Sequence, residues 1–192
     1  LSDKLSEEDA RMLARATSTI VSQVGALKAM VNEFSEYARA PSASMKKIDL
    51  NQLIRDVSGL YEDSHADITY DLAKVMPDLL GDSTMLRQVL HNLMQNAQDA
   101  LEGQAEPKIT VKTSLDNNVA VLMVSDNGQG FPEQILAHPY EPYVTTKAKG
   151  TGLGLAIVKK MVEEHLGQIF ITNNATGGAC ISIKLPLKEA LA

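Results

Sequence analysis

The chain has 192 residues, 44% of them apolar and 22% charged, with a formal net charge of −6. That balance describes a globular chain with room for one domain and a helical appendage, and it excludes a disordered polymer. An acidic surplus argues against nucleic acid as the main partner, because a phosphate backbone needs a basic face.

The single cysteine, Cys180 in Ala-Cys-Ile-Ser-Ile, reads as a buried strand residue, and one cysteine excludes a disulfide framework. The longest apolar run, Val119 to Val124, is too short to cross a bilayer, and no leader pattern is visible. A start at Leu1 rather than Met leads us to expect a piece of a longer protein. The expected setting is cytoplasmic, with any inner-membrane anchor elsewhere in the parent.

In chain order, Ser6-Glu7-Glu8-Asp9 has the pattern of a capping box opening a helix. Leu13, Thr17, Ile20, Val24, Leu27, Val31, Phe34 and Ala38 then alternate steps of four and three, a heptad seam. Met12, Ala16, Met30 and Tyr37 widen the apolar face to bundle width. One helix cannot bury that stripe. A homodimer through Leu13, Ile20, Val24, Leu27, Val31 and Phe34 is therefore expected. Ala40-Pro41-Ser42-Ala43-Ser44 reads as a linker, which divides the chain into a helix over residues 1–44 and a domain over 45–192.

Asp49 with Gln52 three residues on starts a second helix, with Leu50, Leu53, Ile54, Val57, Leu60 and Tyr61 at helical spacing. Ile68, Tyr70 and Leu72 alternate as a strand, and Pro77 to Gly81 reads as a turn. A long helix follows from about Asp82 to Leu101. Its core stripe is Leu86, Val89, Leu90, Leu93, Ala97 and Leu101; Gln88, Asn92, Asn96 and Asp99 line another side. Two asparagines a turn apart are unusual there, since asparagine is a mediocre helix former.

Lys108–Ser114 and Val119–Ser125 form a hairpin about Asp116-Asn117-Asn118, and the second strand delivers Asp126. After a helix from Leu155 to His165, Gly167 reads as its C′ residue. Gln168–Asn173 and Ala179–Leu185 form a last hairpin. The tally from Ile48 onward predicts an α/β (α+β) two-layer sandwich.

Two glycine clusters mark the chemistry. Asp126-Asn127-Gly128-Gln129-Gly130 opens a segment that Gly150-Thr151-Gly152-Leu153-Gly154-Leu155 closes, with Thr145, Thr146, Lys147 and Lys149 between. A glycine-rich turn feeding a helix N-terminus turns free N–H groups and the positive end of the dipole toward an anion. Together the clusters suggest a nucleotide with a lid.

Four stretches then resemble ordered boxes of one family. Asn92-Leu-Met-Gln-Asn96-Ala, Asp126-Asn-Gly-Gln-Gly130, Tyr140-Glu-Pro-Tyr143-Val-Thr-Thr-Lys147 and Gly150-Thr-Gly-Leu-Gly154-Leu resemble the N, G1, F and G2 boxes of sensor histidine kinase catalytic domains. Glu-Pro-Tyr-Val-Thr-Thr-Lys-Ala-Lys-Gly and Met-Val-Asn-Glu-Phe-Ser-Glu-Tyr-Ala-Arg resemble the NtrY type of nitrogen-regulation sensor. The resemblance implies a Bergerat ATP-binding fold. The first helix would be the second helix of a dimerisation and phosphotransfer module.

It also implies roles. Asp126 would accept the adenine amino proton, and Gly128 and Gly130 would let the backbone close on base and sugar. Asn96 would give its oxygen to Mg²⁺, a hard cation that suits oxygen ligands, with Asn92 facing the same site. Gly150, Thr151, Gly152, Leu153, Gly154 and Leu155 would cradle phosphates; Asp99 and Thr146 would also line the nucleotide, and Lys147 and Lys149 would balance its charge, Lys147 first.

ATPases of this fold carry glutamate as general base at the position of Asn92, and an amide cannot act as that base. Asn92 therefore favours transfer to a histidine, whose neutral ring already carries a lone pair. Two departures from the family pattern stand out. Asp99 occupies a position that is often basic, and none of the four histidines, His65, His91, His138 and His165, sits in an H-box context. The phosphoacceptor is expected upstream, outside the sequence, with a response regulator as its partner. A nucleotide-binding regulatory or phosphatase-support module and a hydrolysing ATPase remain as alternatives.

Overall fold

The computed structural model describes residues 6–38, 43–145, 147 and 150–187, and of these the side chains at 7, 26, 29, 30 and 32–38 lie outside the description. Thr146, Lys149 and the Phe34 side chain, all named above, therefore fall outside the described residues. The first element, α1 (Glu7–Ala38), opens as its capping pattern predicts, with Ser6 Oγ accepting from the Asp9 N–H at 3.2 Å. Its seam stays uncovered: Leu13, Ile20, Val24, Leu27 and Val31 are each more than half exposed.

After α1 come β1 (Lys46–Ile48), α2 (Leu50–Ser58), β2 (Asp67–Asp71), β3 (Leu79–Gly81), α3 (Ser83–Ala100), β4 (Lys108–Asp116), β5 (Val119–Asp126), α4 (Glu133–Ala137), α5 (Gly154–Glu164), β6 (Gln168–Asn173) and β7 (Ala179–Pro186). The main sheet runs β2-β4-β5-β7-β6; only β2 and β4 are parallel, and β1 pairs with β3 apart from it. Burial alternates along β4, β5 and β7, so one face of each strand is closed off. Against that face pack α2, α3 and α5, with Ile54, Leu90, Leu93, Val158, Val162 and Ile183 nearly solvent-free. Burying each such side chain contributes about 1.5–3 kcal/mol. The architecture is the predicted two-layer sandwich.

Four details correct the sequence reading. Leu79–Gly81 is a short strand in register with Lys46–Ile48 rather than part of a turn; three residues are too few to show alternation. The left-handed residue after α5 is Leu166 (φ 57°), not Gly167. Gly167 donates its N–H to the Val162 carbonyl as the second residue of the cap, and a Cβ there would press on the Lys184 carbonyl oxygen. Cys180 is half-buried, on the strand face opposite the helices. Finally, α4 lies inside the segment read as an irregular lid.

Polar tethers fix the helices. Asp49 caps α2 through the Gln52 N–H, and Asp82 caps α3 through Thr84 and Met85. His165, buried at the end of α5, accepts the Asp82 N–H on Nε2 at 2.9 Å, so its proton sits on Nδ1 and is donated to the Met161 carbonyl at 2.7 Å. Asn51, also buried, donates to the Ala73 carbonyl at 2.9 Å; Thr113 donates to Asn51 Oδ1 at 2.8 Å and accepts the Ala73 N–H at 2.9 Å. This closed triangle joins α2, β4 and the loop after β2.

Candidate functional site

Asp126 ends β5 on the closed face, at the same parity as buried Ala120, Leu122 and Val124, and is itself buried. Its Oδ1 accepts two backbone donors, Gly128 N–H at 2.9 Å and Ala179 N–H at 3.2 Å. Oδ2 takes no hydrogen bond from any described residue, yet no side-chain polar atom among them is both buried and unpartnered. Oδ2 is thus an open acceptor at the floor of the site. Burial pushes the carboxyl above the ordinary aspartate range, and the two amide donors only partly offset that.

The β6–β7 turn builds this floor, which the sequence reading missed. Asn174 Nδ2 reaches Ser125 Oγ and the carbonyls of Asp126 and Ala179 at 2.9–3.1 Å. Asn173 clamps the start of the lid, accepting the Phe131 N–H at 2.7 Å and donating to the Phe131 carbonyl at 2.8 Å. Gly178 (φ 87°) lies so close beneath that a Cβ would overlap the Asp126 carbonyl oxygen. The only hint in the sequence is Asn-Asn ahead of Gly-Gly, which reads as an ordinary hairpin. Asn127, inside the first glycine cluster, faces away: it accepts the Lys108 N–H and donates to the Glu106 carbonyl.

The glycines divide into two kinds. Gly128 is required by the Ala100 carbonyl oxygen at the end of α3, and Gly130 (φ 72°) by the Asn173 side chain. Gly150 faces Thr145 Oγ1, and Gly152 (φ 70°) lies against the backbone of Tyr143 and Val144. At these four positions protein atoms already leave no room for a Cβ. Gly154 differs. The nearest atom to a Cβ there is Asn96 Nδ2, at 3.9 Å, so its open side faces α3 across the site. Leu153 is fully buried and Leu155 packs on the core, so these leucine side chains anchor the loop and leave only backbone for a ligand.

On α3, Asn92 and Asn96 are half-buried and Asp99 is exposed. Lys147 reaches back from the lid to this helix: Nζ donates to Asn96 Oδ1 at 2.8 Å and to Asp99 Oδ2 at 2.7 Å. One ammonium thus already holds the oxygen predicted to bind metal, on Asn96, and the carboxylate of Asp99 beside it. An amide oxygen beside a carboxylate is a hard donor pair suited to a magnesium-type cation. Among the described residues no cluster of three acidic, histidine or cysteine side chains could hold a metal. Tyr140 pins the lid base, donating to the Ile169 carbonyl at 2.7 Å with Lys159 over its ring. Asn96, Asp99, Lys147 and Gly154 therefore come together, while Asp126 lies by the end of α3, where Gly128 closes on the Ala100 carbonyl. Of the histidines, His91 pairs with the Tyr61 hydroxyl, and His65 lines a groove with Asp63, Gln98 and Asp99.

A two-layer sandwich whose strand β5 ends on a half-open carboxylate and whose α5 starts at a glycine-rich turn is the architecture of an ATP-binding domain. The chain belongs to the histidine kinase-, DNA gyrase B- and HSP90-like ATPase family, whose model matches residues 81–189. Nitrogen regulation protein NtrY of Azorhizobium caulinodans is 36% identical over 188 residues, covering 94% of this chain and 24% of that protein. The structure of full-length ShkA in complex with AMPPNP aligns with a TM-score of 0.76 and 26% identity, over 98% of this chain and 41% of that one. Histidine kinase ThkA, solved in complex with response regulator protein TrrA, aligns with a TM-score of 0.75 and 27% identity, over 92% and 52%. The chain spans less than a third of the length of the curated relatives it matches. No helix among the described residues is long and apolar enough to cross a membrane.

Proposed function

We propose that this chain supplies the Mg-ATP site of a sensor histidine kinase and passes the γ-phosphoryl group to a histidine outside the sequence. The observation that carries the reading is Asp126: one oxygen fixed by two amides, the other open. A fixed carboxylate acceptor selects an exocyclic amino group, as on adenine, over a carbonyl. Asn92, Asn96 and Gly154 face the phosphate end, and backbone N–H groups at the start of α5 favour the anion.

Bound Mg²⁺ would neutralise phosphate oxygens, with Asn96 Oδ1 as the protein ligand. Asn92 supplies no base, so the chain's contribution to transfer is positioning and charge balance. His165 cannot serve as acceptor, since it is buried with both ring nitrogens engaged. The uncovered seam of α1 supports a homodimer through Leu13, Ile20, Val24, Leu27, Val31 and Phe34. A cognate response regulator is the expected recipient, by analogy with the ThkA pair.

The test is calorimetric binding of AMPPNP, with and without Mg²⁺, to the chain and to Asp126→Asn. A hydrogen bond to a charged group contributes about 1.5–3 kcal/mol, so Asp126→Asn should weaken binding by about ten- to a hundredfold. Equal affinity in the two proteins would remove Asp126 from the site and with it this reading. Steady phosphate release without an acceptor would favour a hydrolysing ATPase instead.

A further inference from the structure

Lys147 connects the lid to α3 through one ammonium group, and both ends of that connection are built. Gln95 Nε2 donates to Asp99 Oδ1 at 2.8 Å, which orients the carboxylate and turns Oδ2 toward the lysine. On the lid, the Lys147 N–H donates to Thr145 Oγ1 at 3.1 Å and its carbonyl accepts the Gly150 N–H at 3.2 Å, so the backbone of Lys147 is held on both sides. The two halves lie 48 residues apart in sequence.

The third partner matters most. Asn96 Oδ1, at 2.8 Å from the ammonium, is the oxygen assigned above to the metal ion. An ammonium and a divalent cation on one oxygen would stand only a few ångströms apart, where like charges repel strongly. The Lys147–Asp99 pair is more than a third exposed at both ends, and such pairs are weak. A doubly charged ion with triphosphate oxygens beside it can therefore dislodge the lysine.

We propose that Asp99 and Lys147 form a latch across the site: Asp99 holds the lid lysine on Asn96, and magnesium takes that oxygen only when the lysine leaves. Asp99 is then a positioning residue acting through Lys147. Nucleotide-bound metal and the latched lid exclude each other, so metal binding releases the lid from α3 and frees the ammonium for the phosphates. This inference rests on the Mg-nucleotide reading of the site.

The sign of one substitution separates the latch from simple electrostatics. A bare carboxylate near the metal attracts it, so as an independent charge Asp99→Asn would raise the Mg²⁺ concentration needed to tighten AMPPNP binding. As a latch, Asp99→Asn lowers that concentration by about fivefold, the scale of one weak ion pair, and does so only while Lys147 is present. In a Lys147→Gln background the same change lowers it no further. Amide exchange of residues 143–145, 147 and 150–153 in the nucleotide-free chain supplies a second readout: both single variants should speed it alike, with the buried half of α3 unchanged. A raised Mg²⁺ requirement in Asp99→Asn, additive effects in the double variant, or unchanged exchange would each overturn the latch. Failure of the unaltered chain to bind AMPPNP overturns both readings, whereas binding with additive substitutions overturns the latch alone.

Discussion

At Asp126, function and stability pull in opposite directions. Burial raises its carboxyl above the ordinary range, so the folded chain binds this proton more tightly than the unfolded chain does. Its contribution to stability is therefore greatest in acid and declines as pH rises from the unfolded value through the raised folded one, staying lost at neutral pH. Asp126→Asn keeps an Oδ1 for Gly128 and Ala179, and it should melt no lower than the parent at pH 7 while losing nucleotide. A lower melting temperature would contradict that assignment of cost. Thr113 is the structural counterpart. Thr113→Val strands Asn51 Oδ1 and the Ala73 N–H, and should cost about 1–3 kcal/mol in denaturant unfolding. Asp126 was legible because it ends a strand and precedes two glycines. The Asn51–Thr113 bond, across 62 residues, was not, since neither residue carries any local mark of its partner.

At the scale of elements, the second glycine cluster is a packed turn with one open residue. Gly152 adopts a left-handed backbone against Tyr143, itself at φ 68°. Gly152→Ala should destabilise the chain by about 1–3 kcal/mol through strain and overlap. Gly154→Ala should leave the melting temperature unchanged or higher, because alanine suits a helix, and yet weaken AMPPNP binding by placing a methyl toward Asn96. Equal losses of stability in both would contradict the division. Sequence periodicity placed the major helices and the strand alternation well. The short pieces, β3 and α4, escaped it, as did the reason for each glycine, which depends on atoms from distant segments. The Asn117-Asn118 turn shows the opposite case: both residues take positive φ (45° and 66°), as a two-residue hairpin requires.

For the whole molecule, the sandwich closes its own core while the described seam residues of α1 stay exposed. The heptad seam was plain in the sequence, while its covering partner could not be read from one helix. Ile20→Asp with Leu27→Asp places charges on the exposed seam and should convert a dimer to a monomer by light scattering, with AMPPNP affinity unchanged. A monomeric parent, or a dimer that survives both aspartates, would exclude the seam as the interface.

His165 gives the two helices of the site a common fulcrum. From Asp82 to Asn96, α3 extends about 21 Å, and from Gly154 to His165, α5 returns about 16 Å, at the usual 1.5 Å rise per residue. The far ends are joined by the imidazole at Asp82; the near ends face each other at Asn96 and Gly154. The imidazole bond thus ties the start of α3 to the end of α5, and the register it sets between the two helices is the one in which Asn96 comes to stand opposite Gly154.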